Sequence, residues 1–224
     1  AESSMDKEIS NNIDLTYRYH NNHLTSSFSV FYNQVDNYIF QQDTGLVASD
    51  GHFHAHDDDE DEHYEEESEH EHEDELPVYL FAQQDAKLYG FEAEVDWHFA
   101  DNWRLDTFAD YSRIKFDDGS NAPRIPPMRI SSSLHFEYND WHAEAGITRY
   151  SKQDKIAEYE TETAGYTLVS ASVNYYLPTD LADLSIFVKG DNLTNEEARV
   201  HSSFIKDVAP LPGRSIKIGV RATF

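Results

Sequence analysis

The sequence predicts an all-β protein: an antiparallel meander of about nine strands, of the kind that forms a transmembrane β-barrel. Three observations predict it. Apolar and polar residues alternate with a period of two, short and long connections follow one another in strict alternation, and aromatic residues gather beside the short connections. Composition alone, 224 residues with a net charge of −26, would suggest a soluble acidic protein. The prediction of a transmembrane β-barrel therefore rests on the order of the residues and not on their composition.

The strands are assigned from runs of period-2 alternation. They cover residues 12–20, 23–42, 78–99, 103–116, 128–138, 141–155, 166–177, 184–193 and 214–224. Most of these runs reach the ~9–11 residues that a tilted strand needs to cross a bilayer, whereas strands of soluble proteins average ~5–6. In the last strand, for example, Ile216, Ile218 and Val220 alternate with Lys217 and Arg221.

The connections between these strands fall into two classes. Short connections rich in Asn and Asp, as hairpins prefer, lie at 21–22, 100–102, 139–140 and 178–183, and long ones at 43–77, 117–127, 156–165 and 194–213. Strict alternation places all long loops at one end of the sheet, as in transmembrane barrels. Nine is an odd number of strands and the chain opens without a secretory leader, so we expect the C-terminal part of a larger barrel.

The aromatic residues predict which end of the sheet meets the membrane interface. All three tryptophans, Trp97, Trp103 and Trp141, lie beside short connections, and Tyr17, Tyr19, Tyr138 and Tyr175 approach them on the apolar side of their strands. Such rings collect where lipid meets water. The opposite side of the strands is expected to line a wet lumen, with Glu92, Glu94, Asp96, Arg104, Asp106, Asp110 and Glu144 as its polar lining.

Composition excludes several classes of protein. No run of about 20 apolar residues is present, so a helical membrane protein is excluded. The absence of cysteine excludes disulfides and thiolate zinc sites. The acidic balance argues against nucleic-acid binding, and no motif of catalytic residues or phosphate-cradling glycine loop indicates an enzyme.

One segment holds more than half of the excess negative charge. Residues 50–75 contain 15 Asp or Glu, six His and no Lys or Arg, which predicts a solvated loop. Imidazole and carboxylate are zinc ligands, and an extended segment places His52, His54 and His56 on one side. The candidate metal ligands are His52, His54, His56, Asp57, Asp59, Glu60, His63, His70, Glu71 and His72, with His201 in the last long loop as a candidate for a deeper site.

Two other interpretations of these histidines stay open. An acidic run is often only a solvated surface, and a loop histidine such as His201 is more often a surface residue than a ligand. Copper or nickel would also bind such a loop, because imidazole ligands suit both metals and copper binds most nitrogen and oxygen sites more tightly than zinc does.

Motifs at the C-terminus resemble a known family. Asp191–Asn195, Leu211–Ser215 and Gly219–Phe224 together resemble the end of TonB-dependent outer-membrane receptors, and Asn11–Leu15 and Gly90–Glu92 resemble strand starts of those barrels. The resemblance covers the chain except 43–76. It implies a 22-stranded barrel filled by a plug, in the outer membrane of a Gram-negative bacterium. Loop 43–77 would then be extracellular and the C-terminus periplasmic.

The resemblance also implies partners and a function. The partners would be outer-membrane lipid, a transported divalent metal and TonB, acting through a plug that this chain lacks. The loop composition is similar to that of the zinc-uptake branch, so the expected activity is import of a divalent metal, with zinc as cargo and no catalytic cofactor. The alternatives are a receptor for haem or a metal chelate (siderophore), a non-transporting adhesin or porin, and a soluble acidic β protein.

Overall fold

The computed structural model describes residues 5–49, 52–55, 76–179 and 183–223. They form one sheet of ten strands, in which all neighbours are antiparallel and the strand order follows the chain except for β3, which pairs only with β2. The strands are β1 (Ile9–His20), β2 (Leu24–Ser49), β3 (His52–Ala55), β4 (Leu76–Ala100), β5 (Trp103–Phe116), β6 (Arg129–Tyr138), β7 (Trp141–Tyr150), β8 (Tyr166–Pro178), β9 (Asp183–Asp191) and β10 (Ser215–Thr223). The all-β meander is confirmed.

Short and long connections alternate as predicted. In the first hairpin the Asn21 side chain closes the turn, because its Oδ1 accepts the backbone N–H groups of His23 at 2.8 Å and Leu24 at 2.7 Å. Asn139 occupies the left-handed region with φ 50° in the turn between β6 and β7. Asparagine tolerates that conformation better than most residues. The long connections meet at the opposite end of the sheet.

The pairing register gives the sheet an apolar face and a polar face. Along β10, Ile216, Ile218 and Val220 are 65–76% exposed and lie on the apolar face, which no other layer of the described structure covers. The register aligns Val95 of β4 with Thr107 of β5 on that face, and Glu94 with Phe108 on the polar face. Among the described residues no helix is long and apolar enough to span a membrane.

The aromatic residues form a belt at the end of the short turns. The rings of Trp97 and Phe99 lie 5.3 Å apart, those of Trp103 and Phe136 4.6 Å, and those of Trp141 and Tyr175 4.6 Å. The three tryptophan residues are 37–51% exposed although they are large and apolar. A soluble sheet gains nothing from such a belt, whereas a membrane interface accommodates it.

Several strand ends differ from the prediction. Residues 43–49 and 76–77, assigned above to the 43–77 loop, continue β2 and β4, and residues 52–55 add the short strand β3. The predicted strand 141–155 ends at Tyr150. Beyond it Gln153 forms only an isolated bridge with Thr163. Alternation of apolar and polar residues marks a strand only where one face of the sheet is apolar. Closer to the long loops, polar residues pair in strands whose sequence shows no such alternation.

A β-bulge and a small core lie at the long-loop end of the sheet. The register of β2 against β4 shifts between Val35 and Tyr38, where Asn37 has φ 56°. The shift changes which β2 residues share the polar face, from odd to even numbers. Directly above it, Ala86, Ile114, Phe116 and Ala122 form the buried core, against which Tyr38, Phe40, Leu88 and Ile125 pack. The core thus holds the loop after β5 against the sheet.

Candidate functional site

Most of the predicted metal ligands lie outside the described residues: His56, Asp57, Asp59, Glu60, His63, His70, Glu71 and His72. The described exceptions in this segment are His52 and His54 of β3. Their backbones pair with Ser49 and Val47 of β2, so this part of the run is an extended strand, where the sequence predicted a solvated loop. The acidic–histidine run therefore begins as an added strand at the far end of β2.

Beside the upper parts of β2 and β4, the three long connections 117–128, 151–165 and 192–214 form a loop cluster, and Glu160 lies at its centre. Its Oε1 accepts the backbone N–H of Arg124 at 2.8 Å, and its Oε2 that of Ala157 at 3.0 Å. Its third contact is His201, whose Nε2 lies 3.2 Å from Oε1. One carboxylate thus connects all three loops.

His201 is buried, with 2% of its surface exposed, so it is not a surface residue. Its Nδ1 lies 2.8 Å from the hydroxyl of Thr163. The Nε2–Glu160 contact is short enough for an ion pair, although it is not aligned as a hydrogen bond. Within the described residues both ring nitrogens therefore face protein groups rather than an open site.

The environment of Glu160 favours its charged form. Burial by itself would raise the pKa of this carboxyl, but the His201 ring and the backbone N–H groups of Ala157 and Arg124 outweigh burial, and the pKa lies below its ordinary value. Glu160 is therefore a carboxylate at neutral pH, and it contributes to loop packing in that form.

Lys206 secures the last long loop against the loop after β7. The residue is 5% exposed, and its Nζ donates to the carbonyl oxygen of Thr161 at 2.8 Å and also to the Thr161 hydroxyl. The Thr161 hydroxyl lies 3.1 Å from a carboxylate oxygen of Asp207. Arg199 donates to the carbonyl oxygens of Lys206 and Asp207, both at 2.6 Å. These hydrogen bonds fix the conformation of the last long loop, which contains no helix or strand.

Arg124 joins the loop cluster to the top of β2 and β4. Its guanidinium carbon lies 4.0 Å from the ring centroid of Phe204 and 5.3 Å from that of Tyr79, and its Nη2 donates to the carbonyl oxygen of Gln41 at 3.2 Å. The rings of Tyr79 and Phe204 meet edge to face at 5.2 Å. Cation–π contact of this kind holds a charged group beside aromatic carbon.

A cavity of about 270 Å³ lies between these loops and the upper parts of β2 and β4. Acidic, basic and aromatic side chains share its lining, among them Asp43, Tyr79, Arg124, Glu160, Phe204 and Lys206. Tyr159 also lines it and packs on Gly45, where an added Cβ would lie 2.9 Å from the ring. The cavity therefore has groups that can contact both cations and anions.

The C-terminal motifs close the base of the last long loop. The Asn192 side chain donates to the carbonyl oxygens of Glu196 at 2.8 Å and Pro212 at 3.2 Å, and accepts the Glu196 N–H at 2.9 Å. Asn195 Oδ1 accepts the backbone N–H of Arg214 at 3.0 Å. The motif residues are thus structural: they join the two ends of the loop and none of these contacts points at a ligand.

The polar face carries the acidic lining that the sequence predicts. His135 Nε2 lies 3.0 Å from Asp106 Oδ2, and Arg129 Nε lies 2.8 Å from Asp110 Oδ1. The other ion pairs of this face include Arg104–Asp106 at 3.0 Å, His98–Asp96 at 3.0 Å and His142–Glu137 at 3.2 Å. The three histidines of these strands thus lie within ion-pair distance of carboxylates of the same face. In the described part of the chain Glu92 and Glu94 are exposed and have no ion-pair partner.

Sequence reasoning named only one member of the loop cluster, His201. Glu160, Thr163, Lys206 and Arg124 were missed, because each is an ordinary polar residue of a long connection and they meet only in the folded structure. Among the residues that the structure describes, no three His, Asp or Glu side chains are arranged to hold a metal ion.

Comparison with known families and structures is consistent with the fold. A family model described as "TonB dependent receptor-like, beta-barrel" matches residues 3–193. The copper transporter OprC superposes with a TM-score of 0.73 at 18% identity, over 97% of this chain and 31% of that one.

Two iron-related proteins give similar superpositions. The FrpB iron transporter from Neisseria meningitidis has a TM-score of 0.65 at 12% identity, over 95% of this chain and 30% of that one. The ferric enterobactin receptor PfeA from Pseudomonas aeruginosa has a TM-score of 0.63 at 18% identity, over 96% and 31%. At these identities the likeness shows a shared fold, and this chain spans less than a third of each neighbour.

Proposed function

The chain belongs to the β-barrel family of TonB-dependent receptors, and from this premise we propose that it is the C-terminal barrel portion of an outer-membrane receptor that imports a divalent metal, zinc. The apolar face of the sheet would meet lipid and the polar face a lumen closed by a plug. The short turns would be periplasmic and the loop cluster extracellular. Proteins of this family are transporters rather than enzymes.

The observation that carries the zinc proposal is the acidic–histidine run. Fifteen carboxylates and six histidines lie in one connection, without a single Lys or Arg. This connection joins the upper ends of β2 and β4, where Gly45 and Tyr79 contact the loop cluster, at the end that would form the mouth of the barrel. Carboxylates concentrate divalent cations near the mouth, and neutral imidazoles favour zinc, copper or nickel over calcium or magnesium.

The proposed mechanism is capture followed by transfer. A solvated segment loses conformational entropy when it closes around an ion, so its affinity should be modest and its release fast. The ion would then pass to a more ordered site involving the plug, and TonB would supply the energy for release into the periplasm. Iron- and copper-related neighbours are compatible with a metal as cargo.

Deletion of residues 50–75 in the full-length receptor tests this proposal. We expect zinc binding, measured by competition calorimetry, to fall, and growth-supporting zinc uptake to fail only when zinc is limiting. A matched variant that replaces the six histidines by glutamine keeps the negative charge, so it separates imidazole ligation from the acidic field. If uptake in limiting zinc is the same with and without the segment, its role in capture is disproved.

A receptor for a metal chelate is the second candidate, because the cavity combines the cation of Arg124 with the rings of Tyr79 and Phe204. An aromatic, anionic chelate would fit such a lining. Haem has less support, since His201 is buried and both its ring nitrogens face protein groups. The substitution Arg124→Gln distinguishes the two cargoes: it should weaken uptake of an anionic chelate and leave uptake of free zinc unchanged.

A further inference from the structure

A group of basic side chains interrupts the apolar face of the sheet near its long-loop end. The register places Lys87 of β4 directly opposite Lys115 of β5, and Arg113 opposite Tyr89, one step closer to the short turns. We call Lys87, Arg113 and Lys115 the basic patch. Like charges placed opposite each other across two strands destabilise a sheet. Such a pair therefore calls for a counter-charge.

The protein supplies only part of that counter-charge. Lys87 Nζ forms an ion pair with Asp117 at 2.6 Å. Arg113 donates to the neutral amide oxygen of Asn121 at 2.8 Å, and its Nε is buried with no hydrogen-bond partner. In the described ranges neither Arg113 nor Lys115 has a carboxylate partner, so two positive charges on this face are left without neutralisation.

The patch lies at a defined height on the apolar face. Tyr32, Tyr89 and Tyr111 form a second aromatic row at the lower edge of the patch. Tyr32 and Tyr89 lie level with Arg113, and Tyr111 lies one pair lower, opposite Phe91. Eight residues separate Trp97 from Tyr89, and eight separate Trp103 from Tyr111. At about 3.3 Å per residue, eight positions span roughly 26 Å along the strand, or about 20 Å of height at a tilt of about 40°, which is close to the ~25 Å apolar band of an outer-membrane barrel.

A small cavity of about 150 Å³ adjoins Arg113. Tyr111 and Met128 supply apolar lining, and Lys152 and Lys155 add two further cations. These two lysines have partners of their own, since Lys152 pairs with Glu162 at 2.5 Å and Lys155 with Asp154 at 2.8 Å. The arrangement thus offers acyl-chain contact below and uncompensated positive charge above.

We propose that the basic patch binds the phosphate of a phosphorylated lipid headgroup in the outer leaflet of the membrane. This inference rests on the orientation given under the proposed function, in which the apolar face meets lipid and the loop cluster is extracellular. A lipid whose chains lie along the apolar face below Tyr111 would bring its phosphate to the height of Lys115 and Arg113. Lysine and arginine near a membrane surface attract such groups.

The test measures lipid binding to the full-length receptor in neutral detergent micelles, by native mass spectrometry. The probes are a diphosphorylated acyl-disaccharide lipid, the same lipid without phosphates, and inorganic phosphate. The variant R113Q/K115Q should bind the diphosphorylated lipid about 25-fold more weakly than wild type, at roughly five-fold for each cation. Wild type should prefer the phosphorylated lipid, and inorganic phosphate should not displace it.

The matched control K189Q/K217Q removes two lysines from the polar face, and it should bind the lipid as wild type does. Equal losses in both variants, no loss in R113Q/K115Q, or equal binding of the phosphate-free lipid would each overturn the proposal. Displacement by inorganic phosphate would show a plain anion site instead and would also overturn it. If R113Q/K115Q fails to fold, the single exposed substitution Lys115→Gln should still weaken binding about five-fold.

Zinc binding and lipid binding, both measured on the same purified receptors, test the two proposals independently. Deletion of 50–75 should weaken zinc binding and leave lipid binding unchanged, whereas R113Q/K115Q should weaken lipid binding and leave zinc binding unchanged. If the deletion weakens zinc binding but R113Q/K115Q does not weaken lipid binding, the lipid proposal fails. If R113Q/K115Q weakens lipid binding but the deletion does not weaken zinc binding, the zinc proposal fails.

Discussion

At the scale of single residues, Glu160 has the largest share in organising the loops. It contacts the loop after β5 through the Arg124 N–H, its own loop through Ala157, and the last loop through His201. A buried carboxylate that loses such partners is costly, so these contacts depend on one another. The charge state of one side chain therefore affects the packing of three loops.

Acid should release these loops. The pKa of Glu160 is lowered in the folded protein, so its contribution to loop packing is present at neutral pH and is lost as pH falls through that lowered pKa, below the ordinary value of 4.5. Hydrogen–deuterium exchange of amides 151–165, corrected for the intrinsic effect of pH, measures this. In Glu160→Gln we expect protection to be lower already at pH 7 and the acid-dependent step to disappear.

The substitution Glu158→Gln is the control for that experiment. Glu158 is an exposed residue of the same loop, and its replacement should leave both the protection at pH 7 and the acid-dependent step unchanged. An acid step of full size in Glu160→Gln would assign the effect to another group.

Sequence alone could identify part of this site. His201 stands out as a histidine in a long loop, but its burial follows from Thr163 and Glu160, which are 38 and 41 positions away in the chain. No local pattern connects them. The asparagines of the C-terminal motif are different, because Asn192 and Asn195 bond within their own loop and their role follows a recognisable local sequence.

At the scale of elements, the long ribbon of β2 and β4 depends on the bulge at Asn37. Asn37 has φ 56°, its N–H donates to Asp85 Oδ1 at 2.9 Å, and its carbonyl oxygen accepts from Gln83 at 3.2 Å. Below the bulge odd-numbered residues of β2 share the polar face, and above it even-numbered residues do. The packing of Tyr38 and Phe40 on the core needs this change.

Substitutions at Asn37 test the bulge. Asn37→Val should destabilise the upper ribbon by about 1–2 kcal/mol, because a β-branched residue is strained at positive φ, whereas Asn37→Gly should be nearly neutral. The free energy of local opening, from hydrogen exchange of amides 38–43 in the full-length receptor, gives the comparison. Equal stability of the valine and glycine variants would show that the backbone conformation is not the determinant.

The strands were predictable where they meet lipid, and less so above it. Between the two aromatic rows apolar residues alternate with polar ones, and the strands were placed to within a few residues. Above the patch, β2 continues past the predicted end at 42 through Asp43, Thr44 and Gly45, whose sequence is typical of a loop. Pairing with β4 and not burial makes this segment a strand, and the pattern of one chain segment does not show its partner.

At the scale of the whole molecule, charge is distributed unevenly. Residues 50–75 carry 15 of the 43 acidic residues of the chain and none of its 17 Lys and Arg. The basic patch lies lower, beside the second aromatic row. Metal capture and lipid contact would thus occur at different heights of one barrel.

Zinc capture should depend on pH through the histidines. Binding by the 50–75 segment should weaken as pH falls through about 6.5, because protons compete for imidazole nitrogen. Titration calorimetry of the full-length receptor between pH 5.5 and 7.5, at conditions buffered for zinc, measures this change. The variant with six glutamines in place of the six histidines should bind more weakly at pH 7.5 and lose most of the pH dependence. A pH dependence that persists in that variant would place the ligating nitrogens elsewhere.

The ribbon formed by β2 and β4 acts as a spacer between two opposite charges. From Ala86 to Leu76 it extends ten residues past the level of the lysine pair, or roughly 33 Å at about 3.3 Å per residue. Electrostatic forces fade over about 8 Å in physiological salt. In the proposed orientation, a ribbon of this length would hold the start of the acidic segment several screening lengths above the membrane phosphates. The segment would then neither be repelled by those phosphates nor neutralise the basic patch.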